Sequence, residues 1–346
     1  MVKIDGSYGE GGGQILRTAI GLSVLTDKDV EVFNIRANRS NPGLRPQHYT
    51  AIKIMKEICN GNVEGLRVGS SRIVFHPGSL SQGSYSFDIG TAGSITLVFQ
   101  TFLLGTLKTE DEIKLALTGG TDVKWSPPWD FFEKVFLKNI DGIGIKTDSR
   151  LLKRGYYPKG GGKAEVSIKP VEDDKNIDFN DKKYFKDLEG IVHNSKLPSH
   201  ISRRLKNTTK KYFVNKGFEN YRINIEENES YSPGVGITIW VTSEDMVLGS
   251  GFLGEKGVPA EKVAEKTFSQ LYLDILSKAD FDIHCSDQII PFLGFSCLKN
   301  DCCYRFKVRE ITGHAETNMH IVEKFLPVKF KVNNLDENQV VNVSKK

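Results

Sequence analysis

The sequence lacks the marks of several protein classes. Its five cysteines in 346 residues are odd in number and include no Cys-x-x-Cys pair, which argues against a disulfide framework and a structural zinc site. It has neither a signal peptide nor an apolar run long enough to cross a bilayer. We therefore expect a cytoplasmic protein in a reducing environment, with no membrane partner.

A strong charge of either sign is also lacking. The formal net charge is +4, and 39% apolar with 26% charged residues is ordinary for a soluble globular protein. This weakly positive charge is compatible with an anionic substrate but does not indicate a surface that binds nucleic acid non-specifically. The cations do cluster locally, in residues 36–45 and again in residues 203–211.

Helix and strand patterns occur in a repeating order. Apolar residues at helical spacing predict a helix over Gln14–Leu25. After it we predict, in order, a strand Val30–Ile35, a helix at about Gln47–Cys59 and strands at Leu66–Val68 and Ile73–Phe75. About 80 positions later the order recurs: a helix Ser94–Leu104, a strand Ile113–Leu117 and a helix opened by Ser126, Pro127 and Pro128, with Ser126 as a suitable cap.

A third copy is expected to begin at residues 286–288. Its predicted elements are a helix Gln288–Phe295, a strand Tyr304–Val308 and a helix at about Glu316–Phe325. About 100 residues are inserted before it, after a charge-rich break at Glu172–Lys186, and hold helices near Ser199–Lys216 and Pro259–Lys278. The expected fold class is α/β, with three related helix–sheet units over 1–184 and 279–346 and a small inserted α/β domain over 185–278.

Two loops combine glycine or arginine with a following helix. Gly9–Gln14 contains four glycines and Glu10 ahead of the first helix. Backbone N–H groups there can contact an anion, and a glutamate in such a loop suits a Mg²⁺ ligand; a flexible turn with a solvated Glu10 is the alternative. The connection containing Arg36, Arg39, Arg45 and Gln47 can bind phosphate or be a solvated basic loop.

Three further segments carry chemical groups. Arg154–Lys163 has three consecutive glycines, which form either an anion nest or a bulged turn between strands. His314 lies at the start of the last helix, where an imidazole stays neutral and nucleophilic near pH 7. The segment His284–Gln288 includes Asp287, which can orient a histidine or, with Ser286, simply cap a helix. The other histidines are interpreted as packed or surface residues: His48, His76, His193, His200 and His320.

Together these motifs resemble the RNA 3′-terminal phosphate cyclase family. The resemblance rests on residues 5–17, on Arg154–Gly162, on Asp287-Gln288 and on His314-x-x-Thr317-Asn318. It implies three related units with an inserted small domain. It also implies that His314 attacks the α-phosphorus of ATP, that the resulting AMP passes to an RNA 3′-phosphate, and that the 2′-hydroxyl then closes a 2′,3′-cyclic phosphate.

The resemblance also implies roles for individual residues. Glu10 would hold Mg²⁺ or Mn²⁺ at the triphosphate, and Asp287 would position ATP or His314. Where the family often presents a tyrosine to stack on adenine, this chain has His284. The remaining nucleotide or phosphate ligands implied are Arg17, Arg36, Arg39, Gln47, Gln100, Pro127, Cys285, Ser286 and Gln288.

Two other functions share this kind of fold. Cyclase-like proteins without the nucleophile act as RNA-processing and ribosome-assembly factors, and enolpyruvyl transferases also stack related α/β units. The presence of His314 and Glu10 favours the enzyme over the first alternative. The expected partners are ATP and an RNA with a 3′-phosphate end, and an oligomer is compatible with the sequence.

Overall fold

The first helix–sheet unit sets the pattern of the molecule. A computed structural model describes residues 1–171, 185, 187–243, 246–335 and 337–346 of the chain. The unit's elements are β1 (Val2–Asp5), α1 (Gly13–Thr26), β2 (Val30–Phe33), α2 (Pro46–Ile58), β3 (Asn62–Glu64) and β4 (Ile73–His76). Its strands lie in the order β1-β2-β4-β3, with β1 and β2 parallel and the other pairs antiparallel.

One predicted strand of this unit is wrong. Leu66–Val68 forms no strand, and the partner of β4 is β3, which ends at Glu64. Gly65 follows with a φ of 72°, a conformation that few other residues adopt. The Arg67 amide then donates to the Gly65 carbonyl at 2.9 Å, so the chain turns where the apolar pattern suggested extension.

The second unit repeats the first. Its elements are β5 (Gly83–Asp88), α3 (Ile95–Gly105), β6 (Ile113–Gly119), α4 (Trp129–Phe131), a π-helical turn (Phe132–Phe136), α5 (Leu137–Gly142), β7 (Thr147–Lys153) and β8 (Gly162–Ile168). The strand order β5-β6-β8-β7 has the same parallel and antiparallel pairs. Ser126 does not cap α4, because its hydroxyl donates to the Val123 carbonyl at 2.9 Å and Pro128 occupies the cap position.

The insertion forms a sheet of its own. Its elements are β9 (Leu188–Ser195), α6 (Ser199–Asn215), β10 (Tyr221–Asn228), β11 (Gly234–Thr242), β12 (Val247–Leu253) and α7 (Ala260–Leu276). The strand order is β10-β9-β11-β12, and α6 and α7 pack on one another and on this sheet. Their apolar side chains form a cluster separate from the main core.

The third unit is the same motif without its first strand. Its elements are α8 (Ile283–Lys299), β13 (Tyr304–Val308), α9 (Gly313–Phe325), β14 (Val328–Leu335) and β15 (Asn338–Lys345). The sheet order β13-β15-β14 corresponds to β2-β4-β3 of the first unit. The predicted start of α8 at Gln288 is five positions late, because Asp282 caps the helix by accepting from the amides of His284 (3.1 Å) and Cys285 (2.8 Å).

The helices of the three units pack together around one apolar core. α1 contacts α2, α3 and α9, while α8 contacts α3 and α9. The structure therefore has a mixed α/β fold with three related helix–sheet units and a fourth, inserted sheet. The expected domain boundaries remain predictions, and the charge-rich break at 172–186 lies outside the described residues except for 185. Among the described residues, none of the helices has the length and apolarity that crossing a membrane requires.

Candidate active site

Two helix N-termini meet at the centre of the candidate site. α1 and α9 run parallel, because Gln14 bonds to His314 and Thr18 bonds to Asn318 one turn further along. The Gln14 amide donates to the His314 carbonyl at 3.1 Å, and the Thr18 hydroxyl donates to the Asn318 side-chain oxygen at 2.8 Å. The glycine-rich loop before α1 therefore lies beside the first turn of α9, where two sets of free backbone N–H groups favour anions.

His314 lies between a carboxylate and two guanidinium groups. Its Nε2 is 3.2 Å from Glu10 Oε2, and Arg39 Nη2 is 3.5 Å from the same oxygen. Burial lowers the pKa of the half-buried His314 imidazole; Glu10 opposes this change, while Arg39 and Arg17 add to it. The imidazole is therefore uncharged at neutral pH and open to solvent on one side.

The glycine-rich loop fits closely against its neighbours. A Cβ at Gly9, whose φ is 54°, would lie 2.6 Å from the Thr317 hydroxyl on α9. A Cβ at Gly13 would lie 2.1 Å from Nε2 of His48 on α2. Larger side chains at these two positions would push the loop away from α9 and α2, so glycine here keeps Glu10 beside His314.

Arginines of α1 and of the connection before α2 lie near the glycine-rich loop. The half-buried Arg17 has no hydrogen bond or ion pair with any described residue, and burial lowers the pKa of its guanidinium to about 10. Arg36 has a φ of 54° and donates to the Asn41 carbonyl at 2.6 Å, which holds it within its own loop. Burial lowers the pKa of His48 to about 3, and the positive charges of Arg17, Arg36 and Arg45 lower it further. These three arginines therefore lie near His48.

The starts of three helices from two units form the next part of the site. The Gln47 side-chain oxygen, at the start of α2, accepts from the Ser94 amide at 3.3 Å. Ser94 caps α3, and Thr96, two residues later, donates to the Pro127 carbonyl at 3.0 Å. Gln47 and Pro127 are thus joined through the first turn of α3.

Helices α3 and α8 contribute polar side chains next to His314. Gln100 donates to Gln288, and Gln288 donates to the His284 carbonyl at 2.8 Å. The His284 side chain is exposed; partial desolvation lowers its pKa, and the nearby His314 lowers it further. Gln100, Gln288 and His284 therefore form one polar ridge next to His314.

The buried Asp287 side chain contacts the cap of α9 rather than the solvent-exposed side of His314. Its buried carboxylate accepts a 2.5 Å hydrogen bond from Thr312, the residue that caps α9 two positions before His314. Its carbonyl accepts from Asn318 at 2.6 Å. Burial raises the pKa of Asp287 to about 7, with the Thr312 bond opposing and Glu10 adding. Asp287 thus ties α8 to the N-terminus of α9.

Two predicted ligands do not face the site. Cys285 is fully buried, and its Sγ accepts from the Asn139 amide at 3.2 Å. Ser286 is equally buried and donates to the Ile283 carbonyl at 2.9 Å. Because α8 starts at Ile283, both residues lie inside its first turns and are directed into the core. The alternative in which Ser286 or Asp287 caps α8 is also wrong, since Asp282 is the cap.

Arg154, in the loop with three glycines, lies in a buried network away from His314. Its guanidinium is 2.8 Å from Asp130, 3.3 Å from Asp122 and 2.7 Å from Glu226 of β10. His193 of β9 is 3.4 Å from the same Asp122. The network therefore joins the second unit to the inserted sheet, so this arginine has a structural role.

Sequence reasoning missed three residues that position His314: Gln14, Thr18 and Thr312. Gln14 stood in the recognised glycine motif, and Thr312 had the residue type and place of a helix cap. No pattern in the sequence links α1 to α9, whose contacts span 300 positions. These roles emerge only from the packing of the first unit against the third.

The candidate site offers a divalent cation one exposed carboxylate, that of Glu10 beside His314. Among the described residues there is no group of three or more histidine, cysteine or acidic side chains able to hold a metal. Glu10 is exposed beside His314, and Mg²⁺ commonly binds one or two carboxylates while substrate phosphates and water complete its shell. The donor set therefore fits a cation that arrives with a phosphate ligand.

Comparison with known proteins gives one consistent match. The model of a family described as RNA 3′-terminal phosphate cyclase matches residues 8–332. A protein of Pyrococcus furiosus named RNA 3′-terminal phosphate cyclase is 44% identical over 96% of this chain and 95% of its own length. Proteins with the same name from Archaeoglobus fulgidus (41% identical; 97% and 99% covered) and Methanosarcina mazei (38%; 96% and 97%) are also similar.

Proposed function

This chain belongs to the RNA 3′-terminal phosphate cyclase family, and from that membership we propose that it uses ATP to convert RNA 3′-phosphate ends into 2′,3′-cyclic phosphates through an AMP adduct on His314. The observation that supports the adduct is the half-buried imidazole of His314, which lies 3.2 Å from a Glu10 oxygen that Arg39 also approaches at 3.5 Å, and whose pKa burial lowers. An assembly factor without chemistry has no need of such an arrangement.

The first step is attack by a ring nitrogen of His314 on the α-phosphorus of ATP. An N–P bond forms, the bond to the bridging oxygen breaks, and pyrophosphate leaves. The imidazole is nucleophilic because it is uncharged at neutral pH. Gln14 holds the backbone of His314, while Asp287 and Thr312 fix the start of α9. These contacts would hold the ring in place for attack on a bound triphosphate.

The second step frees the histidine, and the third closes the cyclic phosphate. An oxygen of the RNA 3′-phosphate attacks the adenylyl phosphorus, the N–P bond breaks, and a pyrophosphate linkage joins RNA and AMP. The neighbouring 2′-hydroxyl then attacks the RNA phosphorus, loses its proton to solvent, and displaces AMP. Adenylylation replaces a poor leaving group with AMP, which makes the cyclisation feasible.

The other residues of the site would bind the substrates. Four side chains near the glycine-rich loop would bind the phosphates: Arg17, Arg36, Arg39 and Gln47. The Arg17 guanidinium pairs with no described residue, so its charge is available for this role. Pro127 and the exposed His284 would contact adenine, with Gln100 and Gln288 beside them. Glu10 would hold Mg²⁺ or Mn²⁺, which when bound neutralises charge on the triphosphate.

Covalent labelling tests this proposal. The protein is incubated with α-labelled ATP and Mg²⁺ or Mn²⁺ and then denatured; we expect an acid-labile, alkali-stable AMP adduct that mass spectrometry places on His314. His314→Ala should form none. His320→Ala is the matched control, because His320 lies on the same helix but stacks on Tyr8 at 4.2 Å between ring centroids. No adduct with any divalent metal would favour the assembly-factor alternative.

A further inference from the structure

The most exposed large apolar side chain among the described residues is Trp125. It is 95% exposed and its backbone has a φ of 63°. Trp125 lies in the loop from β6 to α4, two residues before Pro127. A bulky residue in the left-handed region and an indole left in water both cost free energy. Such costs are typical of functional sites.

The loop that carries Trp125 is anchored on both sides. The Ser126 hydroxyl donates to the Val123 carbonyl at 2.9 Å, which closes the turn beneath the indole. The Lys124 ammonium is 2.7 Å from Glu255, which follows β12 in the insertion. The Asp122 amide donates to the Gly155 carbonyl at 3.2 Å. The exposed ring is thus mounted on a fixed backbone.

Two more exposed aromatic side chains lie on the adjoining loops. Asp122 pairs with Tyr156 in a β-bridge, so the loop with Trp125 runs beside Tyr157, which is 75% exposed. A Cβ at Gly161 would lie 2.3 Å from the ring of Tyr231, another exposed side chain. We call Trp125, Tyr157 and Tyr231 the aromatic rim.

The aromatic rim has a lysine beside one of its rings and is linked to the candidate active site. The Lys153 ammonium lies 3.7 Å from the centroid of the Tyr231 ring. A Cβ at Gly160 would lie 2.9 Å from Cα of Ala92. The same connection, which leads into α3, reaches Gln47 through the Ser94 amide at 3.3 Å. Residues 92–94 therefore link Gln47, a proposed phosphate ligand, to the loop that carries Tyr157 of the rim.

We propose that the aromatic rim binds the unpaired nucleotides that precede the RNA 3′-phosphate, with Trp125 stacking on one base. This inference rests on the proposed function. Aromatic rings with nearby cations bind single strands irrespective of sequence, because every base has a π face. The occupant is RNA rather than the adenine of ATP, since a ring open to solvent suits a strand that leaves the site, whereas a small ligand is mostly enclosed.

Tryptophan fluorescence tests binding without any turnover. Of the three tryptophans, Trp129 and Trp240 are buried, so Trp125 dominates the quenching by an added ligand. A 3′-phosphorylated hexanucleotide should quench the emission and ATP alone should not. Trp125→Phe should remove the quenching but keep, within about threefold, the hexanucleotide affinity measured by anisotropy of a labelled strand.

Removing the ring should weaken the hexanucleotide complex. Trp125→Ala should lose affinity on the order of tenfold, in line with the cost of one base stack. It should raise KM for the hexanucleotide and leave KM for ATP and the rate of adduct formation unaltered. Leu276→Ala, which removes another exposed apolar side chain at the end of α7, is the matched control and should bind normally.

Two outcomes would overturn the aromatic rim: unaltered hexanucleotide affinity in Trp125→Ala, or quenching by ATP together with weaker ATP binding in that variant. Failure of the proposed function gives a different result. Wild-type protein would then form no AMP adduct, while quenching by the hexanucleotide and its loss of affinity in Trp125→Ala would still support the rim.

Discussion

The Gln14 side-chain amide donates a 3.1 Å hydrogen bond to the carbonyl of His314, a residue 300 positions further along the chain. This contact joins the first helix of the first unit to the last helix of the third. It holds the backbone of the proposed nucleophile directly, and the Glu10 carboxylate contacts the ring from the same loop. The position of His314 therefore depends on the whole fold.

Gln14→Ala should slow adduct formation about tenfold. The lost hydrogen bond is worth about 1 kcal/mol, and misplacement of the ring adds to that loss. Single-turnover labelling with α-labelled ATP gives the rate, and the apparent Kd for ATP should stay close to that of wild type. An unchanged rate would mean that Thr18 and Asn318 alone position α9.

Glu10→Ala should slow adduct formation by at least tenfold and leave the fold intact. Glu10 is exposed, so its removal leaves no buried group without a partner. Glu10→Gln separates the two roles of this side chain, because it keeps a polar contact for His314 but loses the charge that a cation needs. If titration with Mg²⁺ gave the same half-saturation in Glu10→Gln as in wild type, the metal role would be removed.

Arg17→Met should weaken ATP binding about tenfold or more without lowering the melting temperature. The guanidinium is half-buried and has no ion pair among the described residues, so an apolar side chain of similar length removes a desolvation cost. Arg204→Met is the control, since that exposed arginine, within the part of the chain that the structure describes, pairs with Glu261 at 2.6 Å. Weaker folding in Arg17→Met, with normal nucleotide binding, would assign Arg17 a structural role instead.

His48→Gln should make the protein less sensitive to acid. The unfolded chain binds a proton at His48 below about pH 6.5, whereas burial lowers the folded pKa to about 3. Stability is therefore lost as the pH falls through this window, at about 1.4 kcal/mol per pH unit for one such histidine. Urea unfolding between pH 4 and pH 6 should show a slope that is shallower by that amount in the variant. An identical slope would contradict a neutral, buried His48.

Arg154→Met should destabilise the fold by about 3–5 kcal/mol. The change leaves Asp122 and Asp130 buried without their shared cation. Thermal unfolding should show a lower transition temperature. Any adduct formed at low temperature should appear at the wild-type rate, because Arg154 lies away from His314. A selective loss of nucleotide binding in a stable protein would show that this arginine belongs to the site.

The parts of the fold that could be predicted are those that depend on local sequence. Helices α1, α2, α3, α6 and α7 begin within two residues of their predicted starts because their apolar spacing and end signals lie in consecutive residues. The predicted start of α8 is wrong because the prediction places the first turn after Asp287, although Asp282 is a residue type that commonly caps helices. Asp282 also accepts from the Gly249 amide of β12, at 3.2 Å. Only the structure shows this second contact, which ties the start of α8 to the inserted sheet.

In the candidate site, too, residues in local motifs could be predicted, whereas features that depend on packing could not. Glu10, Arg39 and His314 carried recognisable motifs, and the structure places them together. The family resemblance implied Cys285 and Ser286 as ligands, but the helical period of α8 turns both into the core. Trp125 carried no signal at all, because exposure depends on how the surrounding loops pack.

Placing Glu10 near one end of the chain and His314 near the other has a consequence for biosynthesis. A nascent polypeptide that has left the ribosome only as far as β13 already contains the glycine-rich loop and the arginine loop, but α9 is missing. Such an intermediate lacks His314 and the contact of Gln14 with α9. Under the proposed mechanism, the capacity to form the AMP adduct therefore arises late in translation, when the last helix docks against the first.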